Sequence, residues 1–207
     1  MIKKLTINDI VEIIQKTPEQ CLFDWKSDLK FINTSEKKKS EIVKDIVAIA
    51  NATTTGPGFI FFGVHPEHPN IIKGITERND DSNFQQLVEG KVEPNIDFVY
   101  YEVNYGNLDV GVIHVEPSLK RPHIITKNYG ILRKGQILIR RGSSTDGIKR
   151  EELFECFYGQ TSPYFQNILR NEGIKSYELQ ALSNYLEQSR KHEINIKNDI
   201  LNTLGLE

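Results

Sequence analysis

The sequence predicts a mixed α/β fold, an α+β arrangement in which helices flank a mixed sheet, with further helices at the C-terminal end. Three observations predict it. Helical and strand patterns alternate along the chain, and residues 59–64 form a continuous apolar run typical of a strand buried on both faces. Residues 97–105 and 108–115 alternate in polarity and are joined by a tight Gly106-Asn107 turn, which indicates an antiparallel hairpin.

The first elements alternate helix, strand and helix. Thr6 is a suitable N-cap for a helix over residues 7–16. In residues 22–26 the side chains alternate between an apolar and a polar face, which is typical of a strand. A second helix begins at Ser35 or Ser40, because the residues that follow form a single apolar stripe with most charges outside it.

Shorter elements complete the series. Capping residues, apolar alternation and turn residues predict a helix over residues 83–92, short strands over 123–127 and 137–141, and a helix over 149–157 capped by Thr145 or Asp146. Residues 1–158 are expected to form one domain. Residues 159–207 are polar and helical in pattern and are expected to form a C-terminal appendage.

The composition favours a cytoplasmic protein. Two cysteines far apart, Cys21 and Cys156, make no disulfide framework, so a reducing compartment fits best. The longest apolar run is too short to cross a bilayer, and no membrane partner is expected.

Positive charge is concentrated in one segment. The net charge of the chain is −2, yet residues 120–150 contain nine lysines and arginines and a single acidic residue. Such clustering favours a polyanionic partner, although a solvated strand face neutralised by acids from elsewhere in the fold would also account for it. The candidate nucleic-acid contacts are Lys120, Arg121, His123, Arg133, Lys134, Arg140, Arg141, Lys149 and Arg150.

A second candidate site lies in the stretch EQCLFDWKSD. On a strand, Asp24, Lys26 and Asp28 share one face, so the lysine lies between two carboxylates, and Glu19 is just upstream. Glu19 and Asp24 are suited to bind a hard cation such as Mg²⁺ or Mn²⁺, and Lys26 is suited to steady an attacking water or a phosphate. An acid-x-lysine pair also occurs on ordinary edge strands, so it does not by itself establish catalysis.

Other chemistries are less well supported. Gly56-x-Gly58 follows a helix and precedes a strand, the reverse of a dinucleotide or phosphate loop, and no cofactor-binding loop is expected. His65 and His68 lie in a proline-rich turn without a third zinc ligand at the usual spacing, and no GxSxG motif is present.

Four blocks in order resemble the Schlafen-type AlbA domain. EQCLFDWKSD resembles its first block, and KDIVAIANATTTGPGFIFFGVHPEHPNIIKGI is similar to its block of helix, asparagine, glycines and strand. KRPHII resembles its basic-Arg-Pro-aromatic signature, and ILIRRGSSTDGIKREEL resembles its closing strand and helix. The resemblance covers about residues 19–157.

The resemblance implies an α/β domain that binds nucleic acid. Eukaryotic Schlafens resemble two such lobes around a basic groove, where tRNA-like RNA is held and cut with a divalent metal. The first two of their three acids match Glu19 and Asp24, and the third falls at Pro66, which cannot bind a metal, so that Glu67 is the candidate. Bacterial relatives are described as DNA-binding or ATP-binding regulators.

Two functions follow from this resemblance. The first is a metal-dependent endoribonuclease, using Mg²⁺ or Mn²⁺, that acts on tRNA or other structured RNA in a defence system. Glu19, Asp24 and Lys26 would be its catalytic residues, and Glu19, Asp24 and Glu67 its metal ligands. The alternative is a non-catalytic, DNA-binding transcriptional regulator. RNA is favoured over DNA, and a single lobe per chain implies a homodimer that completes the groove.

Overall fold

A computed structural model describes most of the first 156 residues. The described residues are 2, 4–16, 22–31, 34–52, 56–65, 71–118, 120–150, 152–153 and 156. All of them lie in a compact unit, Met1–Gln160. The C-terminal appendage that the sequence predicts lies outside the described residues, so the domain boundary remains a prediction.

The described chain contains helices and strands in the alternating order that the sequence predicts. They are α1 (Ile7–Lys16), β1 (Phe23–Lys26), α2 (Glu36–Ala50), β2 (Gly58–Phe62), α3 (Asp81–Val88), β3 (Val92–Glu93), β4 (Phe98–Tyr105), β5 (Leu108–Val115), β6 (Ile124–Ile125), β7 (Leu138–Arg141) and β8 (Ser144–Gly147). In this part of the chain, none of the helices has the length and apolar character needed to cross a membrane.

The main sheet is mixed, as the sequence predicts. Its strand order is β1-β2-β5-β4. The β1 and β2 strands are parallel and are connected through α2, whereas β5 pairs antiparallel with both β2 and β4. Every residue of β2 is buried, which confirms the interpretation of the apolar run as a central strand. Two small antiparallel pairs complete the fold, β3–β6 from distant parts of the chain and the hairpin β7–β8.

Helices cover both faces of the sheet and separate two apolar cores. On one face, α1 packs with Trp25, Phe59 and Phe61. On the other, α2 and α3 pack with Ile60 and Phe62. Because alternate residues of a strand point to opposite faces, β1 directs its aromatic residues toward α1 and its two charged residues toward α2. The predicted alternation of this strand is confirmed.

The starts of the two long helices follow the predicted capping. Thr6 caps α1, and its Oγ1 accepts a hydrogen bond from the backbone N–H of Asp9 at 3.3 Å. Of the two serines considered for α2, Ser35 is the N-cap, and its Oγ accepts from the N–H of Lys38 at 3.4 Å. Ser40 lies inside the helix and bonds the carbonyl of Lys37 instead.

Two sequence predictions of helix limits are wrong. The third helix ends at Val88 and not at Val92, because Val92 belongs to β3, which pairs with β6. Thr145 and Asp146 do not cap a helix, because they lie in β8. A turn containing Gly142, with φ of 58°, reverses the chain after β7 and brings these residues into an antiparallel pair.

Candidate functional site

A buried ion pair joins the first strand of the sheet to β7. The Nη2 of Arg140 lies 3.0 Å from Oδ1 of Asp24, and it also donates to the carbonyl of Phe23 at 3.3 Å. The side chains of Asp24 and Arg140 are 3% and 2% exposed. Removing either charge would therefore break a buried ion pair.

The other carboxylate oxygen of Asp24 faces Lys26. The Nζ of Lys26 lies 2.8 Å from Oδ2 of Asp24 and 2.9 Å from Oδ2 of Asp45. Burial by itself lowers the pKa of Lys26, but the charges of Asp45 and Asp24 outweigh it and raise the pKa above its ordinary value. The ammonium is thus held in its charged form by two acids.

Asp45 is the site residue that sequence reasoning missed. It comes from α2, its side chain is buried, and its Oδ1 lies 3.4 Å from Nζ of Lys44. Burial raises the pKa of Asp45, and the charge of Lys26 opposes that rise. A signal was present in the sequence, because Asp45 follows Ile42 by three residues and precedes Ile49 by four and so lies on the apolar stripe of the helix.

Asp28 does not flank Lys26 in the way that strand alternation predicts. Its carboxylate accepts hydrogen bonds from the backbone N–H and the hydroxyl of Thr76, at 3.1 and 3.0 Å, and from the N–H of Leu29. The strand β1 ends at Lys26, so the side-chain alternation does not continue to Asp28. The lysine does lie between two carboxylates, but α2 supplies the second one.

A pocket of about 470 Å³ opens beside this cluster. It lies at the carboxyl ends of the parallel strands β1 and β2, the edge at which open α/β sheets bind ligands. The Lys26 side chain is 37% exposed there, whereas its two acidic partners are buried behind it. The lining residues are Lys26, Ser27, Asp28, Leu29, Lys30, Lys38, Glu41, Ile42, Asp45 and Phe62.

Several basic side chains of residues 120–150 form hydrogen bonds within the fold. His123 is fully buried, with Nδ1 2.7 Å from the carbonyl oxygen of Pro94 and Nε2 2.7 Å from Oγ of Ser118. Arg121 is half-buried, and its guanidinium donates to the carbonyl of Ala52. Together with the buried Arg140, these side chains have partners within the fold.

Arg141 is paired at the edge of the β7–β8 hairpin. Its guanidinium forms a bidentate pair of hydrogen bonds with the carboxylate of Glu152 and also donates to the carbonyl of Gly147. The hydrogen bonds from Arg141 lower the pKa of Glu152 to about 2. This arginine therefore holds the start of the following helical residues against the hairpin.

The rest of the predicted contacts lie on the surface. Lys120, Arg133, Lys134, Lys149 and Arg150 are exposed. Arg133 also donates to the carbonyls of Gly130 and Leu132, at 2.9 and 3.1 Å, which orders its loop. The structure thus divides the basic segment into internal residues that support the fold and exposed residues that are available to a polyanion.

Asn51 forms hydrogen bonds with two segments that are distant in the sequence. At the end of α2, its Nδ2 donates to the carbonyls of His123 and Leu138, both at 2.9 Å, and its Oδ1 accepts from the N–H of His123 at 2.7 Å. Because Leu138 begins β7, these bonds set the position from which Arg140 reaches Asp24. The buried Asn51 thereby positions β7, and with it Arg140, without contacting the charged cluster itself.

The described residues do not form a three-ligand metal site. Glu19 and Glu67 lie outside them, and Asp24 has a cation beside each carboxylate oxygen. Within the described ranges, no group of three His, Cys, Asp or Glu side chains is close enough to hold a metal ion. The expected Mg²⁺ or Mn²⁺ site remains a prediction that depends on Glu19 and Glu67.

The mixed sheet, its helical layers and the charged cluster on β1 define an α/β domain with a polar site at the carboxyl edge of its parallel strands. A family model described as Schlafen, AlbA_2 matches residues 19–149, more than half of the chain. The chain therefore belongs to the Schlafen AlbA_2 family, as the four sequence blocks predict. Membership associates it with a function related to nucleic acids. A search of curated proteins found no match to the chain.

Proposed function

We propose that this chain binds nucleic acid through its phosphate backbone, with RNA favoured over DNA. Family membership supports the proposal, and the observation that carries it is the position of Lys26. Two buried acids keep this lysine charged, and it lies in a pocket whose rim also carries Lys30 and Lys38. Contacts from lysine and arginine to phosphates supply most of the affinity of such proteins and fix their register on the strand.

The exposed cations of the basic segment extend this interface in the proposal. They are Lys120, Arg133, Lys134, Lys149 and Arg150. If about five phosphates are neutralised, affinity falls by roughly two to three orders of magnitude between about 50 and 200 mM salt. The four basic side chains with internal partners are assigned to the support of the fold, namely Arg121, His123, Arg140 and Arg141.

Fluorescence anisotropy tests the proposal with a labelled tRNA and a DNA duplex of similar length, in EDTA and at several salt concentrations. The variants are Lys26→Gln and the double variant Arg133→Gln/Lys134→Gln, each expected to weaken binding by about tenfold. Lys4→Gln is the matched control, because Lys4 lies over the ring of Tyr101 on the α1 face of the sheet. The proposal is overturned if neither nucleic acid binds with a salt-dependent affinity, or if the control weakens binding equally.

A second candidate is a divalent-metal-dependent endoribonuclease that acts on tRNA or other structured RNA within a defence system. The specific observation in its favour is that Asp24 and Lys26 meet beside the pocket in the acid-x-lysine order. In this proposal Glu19, Asp24 and Glu67 hold Mg²⁺ or Mn²⁺, and Lys26 contacts the scissile phosphate. Incubation of tRNA and plasmid DNA with Mn²⁺ or EDTA distinguishes the cases. Cleavage of tRNA that needs the metal and Glu19 supports the nuclease, whereas retention of DNA on a gel without cleavage of either substrate supports the DNA-binding regulator.

The proposal also includes a homodimer. Because eukaryotic Schlafens resemble two lobes around one groove, two copies of this chain would provide an equivalent pair of lobes. Light scattering of the full chain, with and without tRNA, is expected to give the mass of two chains. A mass of one chain under both conditions would contradict this part of the proposal without affecting nucleic-acid binding.

A further inference from the structure

Lys26 contacts two buried acids on one side and lines a pocket on the other. Its ammonium lies 2.8 Å from a carboxylate oxygen of Asp24 and 2.9 Å from one of Asp45. Both acids are buried, while the lysine side chain is 37% exposed and lines the pocket. The exposed side of Lys26 therefore faces the space that a ligand in the pocket would occupy.

We propose that Asp45 is the positioning residue for Lys26 and holds its ammonium at the pocket so that it binds a phosphate oxygen of the nucleic acid. This inference rests on the proposed function, and it adds the residue that orients the phosphate contact. Asp45 is suited to the role because it approaches from α2, whereas Asp24 lies on the same strand as the lysine. Carboxylates from two different elements, β1 and α2, fix the orientation of the Lys26 side chain more closely than a single carboxylate would.

The charges around Lys26 support a positioning role for Asp45. Asp24 is shared between Arg140 and Lys26, and Asp45 adds a second carboxylate beside the lysine. Burial of a carboxylate in a helix face is costly, and the contacts of Asp45 with Lys26 and Lys44 offset that cost. Because Lys26 lines the pocket, the same carboxylate also fixes the position and the charge of the lysine there.

The inference is tested by whether the variant Asp45→Asn binds tRNA more weakly or more tightly than the wild type. Asp45→Asn makes the chain less negative, so general electrostatics predicts tighter binding of a polyanion, whereas loss of positioning predicts weaker binding. We expect a rise in Kd of about tenfold for labelled tRNA by anisotropy. The matched control is Asp109→Asn, which makes the same charge change but releases the exposed Arg78 and does not touch the pocket. The control is expected to bind equally well or more tightly.

A double-mutant comparison separates positioning from a general structural effect. If Asp45 acts through Lys26, the variant Lys26→Gln/Asp45→Asn binds no more weakly than Lys26→Gln alone. Asp45→Glu retains the charge but displaces it by one methylene, and an intermediate Kd is expected. Circular dichroism confirms folding. If Asp45→Asn does not fold, Asp45→Glu supplies the test, and an affinity equal to that of the wild type would overturn the inference.

The outcomes distinguish this inference from the proposed function. A wild-type protein that binds neither RNA nor DNA overturns both. A wild-type protein that binds, together with an Asp45→Asn variant that binds equally well or more tightly, overturns the positioning role alone. Additive losses from Lys26→Gln and Asp45→Asn would also overturn it, because independent effects show that Asp45 does not act through the lysine.

Discussion

Replacing Arg140 with methionine tests whether the Asp24–Arg140 pair holds β7 against β1. Both side chains are almost fully buried, and one guanidinium nitrogen serves both the Asp24 carboxylate and the carbonyl of Phe23. Methionine has a similar volume, so the change removes the charge and the hydrogen bonds with little change in packing. Breaking a buried pair by removing one partner costs about 3–5 kcal/mol.

The loss is measured by urea unfolding followed by circular dichroism. For a chain of this size, a loss of that magnitude corresponds to a fall of about 10 °C in the melting temperature. Asp24→Asn is expected to cost a similar amount, and the double variant less than the sum of the two, because it leaves no unpaired charge. Arg141→Met is the control, since the pair with Glu152 is more exposed and its loss is expected to lower the free energy of unfolding much less.

Two results would refute this reasoning. If Arg140→Met and Asp24→Asn each lowered the free energy of unfolding by less than about 1 kcal/mol, the pair would not link the two elements. If their losses were simply additive, each side chain would act through other contacts.

Further predictions concern the support of the site. Asn51→Ala removes three buried hydrogen bonds and is expected to lower the free energy of unfolding by about 2–4 kcal/mol in urea. Gly63→Ala is expected to cost more than Gly135→Ala in the same assay, because both have positive φ but only the added Cβ at Gly63 meets backbone, at 2.6 Å from Gly74. Glu152, with a folded pKa of about 2 against an ordinary 4.5, contributes stability that is present above about pH 4.5 and is lost as the pH falls toward 2. Glu152→Gln should remove this component from a series of melting temperatures against pH, and an unchanged series would contradict the pairing.

The pattern in β1 was sufficient to place two charged residues correctly. A strand has a side-chain period of two, so the aromatic residues at 23 and 25 predict the face on which Asp24 and Lys26 lie. The same rule failed at Asp28, because a period holds only as long as the strand does. Local periodicity thus predicts which residues share a face, but it does not predict where the face ends.

Charge partners were harder to predict, because they depend on contacts between distant parts of the chain. Arg140 and Arg141 are adjacent and count equally in a charge tally, yet one is buried against a carboxylate 116 residues away and the other pairs with Glu152. Likewise, the position of Asp45 on the apolar stripe of its helix indicates burial, but only the fold shows that Lys26 is its partner. The tertiary structure, and not the composition, decides which charges remain for a ligand.

The double role of Asp24 affects how a nuclease would be identified. Replacing Asp24 removes a proposed metal ligand, but it also removes the partner of Arg140, so lost cleavage would follow from either cause. Arg140→Met breaks the same pair and keeps the carboxylate. If Asp24 binds metal, cleavage should survive in Arg140→Met at a temperature where the variant is folded, and it should need less Mn²⁺, because a positive charge that competes for Asp24 is gone. Equal loss of cleavage in both variants would assign Asp24 to the fold.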